Sequence, residues 1–145
     1  MSKLLDEILS NDNMNLAFKS VKANKGAYGV DEVTLDDLSE YIKDNWKDIK
    51  SKIEERKYYP LPVRRVQIPK ENGKMRNLGI PTVFDRIIQQ AIVQVLSPIF
   101  EEQFSETSYG FRPGRCCENA VIKALEYLND GYEWIVDIDL ERFFD

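Results

Sequence analysis

The sequence contains no histidine, and its only two cysteines, Cys116 and Cys117, are adjacent. The absence of histidine excludes a zinc site of the usual kind, a Ser-His-Asp or Cys-His nucleophile, and a histidine general base. Adjacent cysteines do not make an ordinary bridge across a fold. Any chemistry must therefore come from carboxylates, lysine, arginine, tyrosine or a metal held by carboxylates.

Long apolar segments are also missing. No run approaches the roughly 18 apolar residues of a membrane span. The N-terminal letters MSKLLDEILSNDN lack the charged, apolar and small-residue order of a signal peptide. We therefore expect an intracellular, cytoplasmic protein without membrane contact, of the size of one ordinary domain.

Positive charge is scarce overall, since the net charge is -5. That balance argues against a generic nucleic-acid binder, which is usually basic. The segment from Arg56 to Arg76 is the exception, because it holds seven basic side chains and one acid, Glu71. This segment is suited to an anion, although a solvated charged hairpin has the same composition.

Hydrophobic periodicity predicts an α+β fold. Apolar spacing indicates helices over residues 3–22 with a break at SNDN, from a capping box at Thr34 to about Arg56, over 83–103 and over 116–129. Prolines, alternation and an Asn-Gly pair predict a β-hairpin over 62–80, with strands near 63–69 and 75–80. Residues 134–140 are expected to form a final strand.

The final strand carries two carboxylates. In an extended chain Asp137 and Asp139 share one face with Ile135. Carboxylates in an apolar strand are costly unless a divalent cation, a helix terminus or an arginine offsets their charge. Together with a basic hairpin and an arginine-bearing Gly-Pro loop, the pair suits a nucleoside triphosphate bound through Mg²⁺.

Four motifs give the sequence a family resemblance: RNLGIPT, QQA, SYGFRPGR and DIDLERFFD. In combination they resemble the fingers and first palm segment of bacterial reverse transcriptases, most closely those encoded by group II introns. The resemblance runs from about Asn24 to the end. It implies a helical fingers subdomain with an antiparallel hairpin over 1–133, including an N-terminal extension at 1–55, and an incomplete first palm strand of a right-hand polymerase at 134–145.

The resemblance also implies an activity. Such enzymes extend a DNA or RNA primer with dNTPs on an RNA template, here group II intron RNA, use two Mg²⁺ ions, and assist intron splicing and mobility in bacteria. The Tyr/Phe-x-Asp-Asp hairpin that supplies their remaining metal ligands is absent from this sequence. We therefore expect a fragment that is inactive alone, and any dimer formed through its exposed last strand to be doubtful as biology.

Candidate site residues follow from the matched motifs and from the basic segment. The resemblance makes Asp139 the catalytic metal ligand, with the Ile138 carbonyl as a further oxygen donor and Asp137 as the alternative ligand. It places the dNTP against Lys70, Arg76, Arg112 and Phe144, the last excluding a 2′-hydroxyl. Candidates for RNA and template binding are Arg64, Arg65, Lys74, Arg115, Lys25 and Gly26.

Other interpretations remain open at this point. The region can act as an RNA-binding maturase module without its own catalysis, with Tyr58, Tyr59 and the basic segment 56–76 as its contacts. Neutralising Arg64, Arg65 and Lys74 would then abolish the salt dependence of RNA binding. A retron-type or other bacterial reverse transcriptase shares the same motif blocks. A stand-alone acidic domain without a ligand is the third alternative.

Overall fold

A computed structural model describes residues 2–69 and 73–140 of the protein. The helices are α1 (Lys3–Ile8), α2 (Asn11–Ala23), α3 (Leu38–Glu54), α4 (Val83–Glu101) and α5 (Cys117–Asn129), and the strands are β1 (Arg64–Pro69) and β2 (Met75–Ile80). The predicted α+β class is confirmed. The chain divides after Phe100 into two compact units, and each unit is described by itself.

Four helices of the first unit share one hydrophobic core. Leu38, Val83 and Ile87 are its largest fully buried side chains, and they come from α3 and α4. The other members of the cluster come from α1, the residue after it, α2 and α4: Ile8, Leu9, Ala17, Val21, Ala91 and Val95. The apolar spacing of the sequence thus produces the buried face of each helix.

Polar residues fix the joints between these helices. The predicted break at SNDN is confirmed, since Ser10 accepts a hydrogen bond from the Asn13 amide nitrogen at 3.3 Å and so caps α2. The Asn13 side chain then donates to the carbonyls of Ile8 at 2.9 Å and Ala91 at 3.0 Å. One amide therefore joins the end of α1 and the start of α2 to α4.

The predicted hairpin is also confirmed. β1 and β2 pair antiparallel with Arg64 opposite Ile80 and Ile68 opposite Arg76. Both strands are largely exposed; Arg64 and Val66 of β1 and Ile80 of β2 are partly covered. The hairpin consequently adds a surface to the first unit and little to its core.

The predicted strand at 134–140 is wrong as secondary structure. These residues follow α5 and pair with no strand among the described residues, and Trp134 is 95% exposed. A strand requires a neighbour for its backbone hydrogen bonds, and the described residues of this unit offer none.

Helix α5 contains no buried residue. No helix in the described ranges is long and apolar enough to cross a membrane.

Candidate nucleic-acid and nucleotide interface

The pleat of the hairpin sorts its arginines onto two faces. Cross-strand partners lie on the same face, so Arg64, at one end, shares a face with Arg76, which pairs with Ile68 near the turn. Arg65 pairs with Gly79 and points to the opposite face. Along β1, Arg64 is four residues from Ile68, the partner of Arg76, which corresponds to about 13 Å of strand. The predicted RNA-binding arginines are therefore not one cluster.

Arg64 lies against an aromatic ring from the loop after α2. Its guanidinium carbon is 4.4 Å from the centre of the Tyr28 ring, within range of a cation–π contact. Arg64 is half-buried, whereas Tyr28 is exposed, so the pair presents a flat polar and aromatic surface to solvent. Sequence reasoning selected Arg64 but missed Tyr28.

The loop that carries Tyr28 comprises residues 25–31, KGAYGVD, and is called the glycine loop below. It is attached to the start of α4. The Arg86 guanidinium donates to the Ala27 carbonyl at 2.5 Å, and Gly29 lies so close to Thr82 that an added Cβ would come within 2.6 Å of the Thr82 Cα. Lys25, a predicted template contact, has a left-handed backbone at φ 46°.

A buried carboxylate fixes the approach to β1. Asp85 is 3% exposed and accepts hydrogen bonds from the Tyr58 hydroxyl at 2.5 Å, the Leu61 amide at 3.3 Å and the Thr82 hydroxyl at 2.7 Å. Burial and the neighbouring Asp85 carboxylate raise the pKa of Tyr58 well above its usual value. Asp85 therefore anchors the segment before Arg64 to α4.

The SYGFRPGR loop folds around Arg112. Its side chain is only 8% exposed, and it donates to the Glu101 carboxylate at 2.8 Å and 3.0 Å and to the carbonyls of Ser105 at 2.7 Å, Ser108 at 2.9 Å and Glu101 at 3.4 Å. The guanidinium lies 5.1 Å from the Phe104 ring centre. These bonds engage all the N–H donors that an arginine has. In this conformation Arg112 organises its own loop, and its contact with dNTP stays a prediction.

Arg115 is held differently. It donates to the Glu106 carbonyl, and its guanidinium carbon is 5.4 Å from the Tyr109 ring centre. Fewer of the N–H donors of Arg115 are engaged than those of Arg112. Arg115 is therefore the better placed of the two to donate hydrogen bonds to a phosphate. Its template role also stays a prediction.

The predicted metal ligands lie on the segment after α5. Asp137 and Asp139 are exposed, and Asp139 accepts a hydrogen bond from the Leu140 amide at 2.9 Å. Across residues 2–69 and 73–140 no three ligand-type side chains are grouped to hold a metal ion. Two carboxylates and the Ile138 carbonyl supply the hard oxygen ligands that Mg²⁺ prefers, and they fit part of a site.

Two predicted residues fall outside the described ranges: Lys70 at the hairpin turn and Phe144 near the end. Lys74 lies just after the turn and is exposed.

Sequence reasoning missed Arg86 as well as Tyr28. Arg86 carried a signal, because it is the only basic residue in the sequence of α4.

Comparison with known proteins finds one matching family and several longer relatives. A family model described as reverse transcriptase (RNA-dependent DNA polymerase) matches residues 68–145. Protein YkfC of Escherichia coli (strain K12) is 36% identical over 151 residues, which cover 100% of this chain and 40% of that protein. The group II intron-encoded protein LtrA of Lactococcus lactis subsp. cremoris is 38% identical over 147 residues, which cover 99% of this chain and 24% of that protein.

A eukaryotic relative shows the same pattern. The putative COX1/OXI3 intron 2 protein of Saccharomyces cerevisiae is 32% identical over 133 residues, covering 90% of this chain and 15% of that protein. The chain thus spans less than half the length of each of these relatives.

Proposed function

The chain belongs to the reverse transcriptase family, and we propose that it binds the RNA template and the incoming nucleotide as part of an RNA-directed DNA polymerase. One observation carries the proposal. Arg64, stacked on Tyr28, and Arg76 lie on the same face of one hairpin about 13 Å apart. A single surface thereby offers an aromatic site for a base and a separate cationic site for phosphates.

The nucleotide end of this face is the hairpin turn. Arg76 presents a planar fork suited to paired phosphate oxygens, and Lys70 and Lys74, which the sequence places between β1 and β2, would add point charges. A dNTP triphosphate bound there would neutralise the excess of positive charge between Arg56 and Arg76. In the second unit, Arg112 would bind a phosphate only by releasing one of its present partners.

The template end is the Tyr28–Arg64 pair with the glycine loop. Single-stranded RNA is bound by stacking its bases on aromatic rings and guanidinium planes while basic side chains hold its phosphates. Tyr28 and Arg64 supply the stacking surface, and Lys25 adds a cation beside Gly26 in the same loop. Arg65, on the other face, would contact a different part of the nucleic acid or none.

Asp139 with the Ile138 carbonyl, or with Asp137, would hold Mg²⁺ in the assembled polymerase. When bound, Mg²⁺ stabilises charge on the reacting phosphate oxygens. The Phe144 side chain would exclude a ribose 2′-hydroxyl. The sequence supplies only this one segment of candidate metal ligands, so we propose that residues 1–145 alone do not extend a primer.

The likeness to the Lactococcus lactis protein supports group II intron RNA as the template and bound partner, with assistance to splicing and mobility as the accompanying role. The first comparison would be between the affinity for a structured group II intron RNA and that for an unrelated structured RNA of equal length. Stronger binding of the intron RNA supports this partner. Equal binding of both RNAs supports a general polymerase role instead.

Photocrosslinking tests the proposed surface directly. A 4-thiouridine RNA template annealed to a DNA primer would be irradiated with residues 1–145, and the crosslinked peptides identified by mass spectrometry. We expect crosslinks within the glycine loop and β1. Crosslinks confined to the outer faces of α1 to α3 would show that the template binds elsewhere.

A further inference from the structure

We infer that Arg86 is a positioning residue for the template site, acting through the backbone of the glycine loop. This inference rests on the proposed function, because it concerns the same Tyr28–Arg64 surface. Arg86 itself lies on the first turn of α4. Its effect on RNA passes through Ala27 to the next residue, Tyr28.

The first contact is a hydrogen bond across 59 residues of sequence, from the Arg86 guanidinium to the Ala27 carbonyl. The Ala27 carbonyl is thus held by a residue of α4. The next residue, Tyr28, carries the ring that contacts Arg64.

The second contact is steric. Gly26 lies directly on the Arg86 guanidinium, and a Cβ added at Gly26 would overlap its Nη1 atom; the other two nearest atoms also belong to Arg86. The backbone of Gly26 is not in the left-handed region, so its conformation does not require glycine. The atoms that a Cβ would meet belong to the end of a flexible side chain, so an alanine at residue 26 would displace the Arg86 guanidinium from its place beside Ala27.

The Arg86 guanidinium is partly buried near a carboxylate of the glycine loop. Partial burial lowers the pKa of Arg86, and the nearby Asp31 carboxylate opposes that change. Within the described residues the Arg86 Nε and one Asp31 carboxylate oxygen are buried without a hydrogen-bond partner. The bond to Ala27 and the contact with Gly26 join the Arg86 guanidinium to the loop, so its removal should free this part of the loop.

A double-mutant cycle separates this role from general stabilisation. Arg86→Ala and Gly26→Ala should each weaken binding of a labelled RNA template–DNA primer duplex, by about tenfold for a coupling of ordinary size. In the Arg86→Ala background, Gly26→Ala should add little, because the clashing side chain is gone.

Gly29→Ala is the matched control. Its added Cβ would meet the Thr82 backbone, which Arg86→Ala does not remove. Its effect on RNA affinity should therefore be the same in both backgrounds. A purely structural role for Arg86 would lower the thermal midpoint while leaving the RNA affinity of the folded protein unchanged.

The outcomes distinguish failure of the proposed function from failure of the role of Arg86. RNA binding that is absent from the wild-type chain would overturn the proposed function. Wild-type binding with no loss in Arg86→Ala, or with no cost of Gly26→Ala, would overturn the role of Arg86 alone. If Arg86→Ala fails to fold, Arg86→Met retains the apolar stem without the guanidinium, and the same loss of RNA affinity is expected.

Discussion

At the scale of single residues, buried side chains decide where the candidate site lies. Asp85 joins the first turn of α4 to Tyr58 and Leu61, just before β1. Arg86, the next residue, joins the same turn to Ala27. Two consecutive residues thus attach both the hairpin and the glycine loop to one helix. Neither residue needs to touch RNA to affect its binding.

Removing the Tyr58 hydroxyl tests the Asp85 anchor. Tyr58→Phe leaves a buried carboxylate with one donor fewer, so the free energy of unfolding should fall by about 1–3 kcal/mol. Tyr59→Phe is the control, because Tyr59 is 83% exposed and its hydroxyl should contribute little. Urea denaturation of both variants measures the difference, and an equal effect of the two changes would contradict the anchor.

Acid should loosen the Arg112 loop. Hydrogen bonding from the Arg112 guanidinium lowers the pKa of Glu101 below its usual 4.5. A carboxyl with a lowered pKa in the folded state stabilises the fold at neutral pH, and this contribution is lost as pH falls through that lowered value. The protection of the amides of residues 101–115 against hydrogen exchange, relative to their intrinsic rates, should therefore fall below about pH 4.5.

Glu101→Gln is the control for the acid effect. It cannot change its charge, so the exchange rate of the loop, corrected for intrinsic chemistry, should be faster at neutral pH and less dependent on acid. A Glu101→Gln loop with the wild-type pH profile would assign the change to other carboxylates.

At the scale of elements, local patterns were sufficient for most of the fold. The hairpin was predicted to within a residue, since alternation and the Asn-Gly turn act over a few neighbouring positions. The break before Asn11 and the start of α4 were visible for the same reason. The strand at 134–140 was not correctly predicted, because a strand depends on a partner that its own sequence does not supply.

The candidate site shows the same limit. Motifs selected Arg64, Arg76 and Arg112 as residue types suited to phosphate. They did not reveal that the N–H groups of Arg112 would bond within its own loop. They also did not reveal that Arg86 would donate a hydrogen bond to Ala27, 59 residues away in the sequence. Such pairings arise from packing between distant segments, so no local pattern records them.

The joint between α1, α2 and α4 provides a prediction for these elements. Asn13→Ala removes an amide that bonds the carbonyls of Ile8 and Ala91, and should lower the free energy of unfolding by about 1–3 kcal/mol. Asn15→Ala, an exposed position on the same helix, should change it by less than about 0.5 kcal/mol. Thermal denaturation of the two variants side by side would detect the contrast.

At the scale of the whole molecule, charge and apolar surface are distributed unevenly. The basic side chains concentrate between Arg56 and Arg76, in a chain whose net charge is -5. The second unit instead exposes apolar side chains on α5 and after it: Val121, Ile122, Leu125, Leu128 and Trp134. Exposed apolar surface of this kind favours association.

We therefore expect residues 1–145 to self-associate as concentration rises. Ile122→Glu with Leu125→Glu should reduce this association, because a charge at each position opposes burial of the α5 surface. Leu16→Glu, an exposed leucine of α2, is the control and should have little effect. Sedimentation velocity over a range of concentrations would measure both, and equal effects would place the association surface elsewhere.

The measurement that tests the central claim most directly is the affinity of three arginine variants for the RNA template, at several salt concentrations, and for dNTP. Arg64→Ala and Arg76→Ala remove cations from the proposed binding face, whereas Arg65→Ala removes one from the opposite face. We predict that Arg64→Ala weakens RNA binding and reduces its salt slope by about one, that Arg76→Ala weakens dNTP binding, and that Arg65→Ala changes both affinities far less. Equal losses for all three variants, or a larger loss for Arg65→Ala, would contradict a template and nucleotide surface on that face of the hairpin.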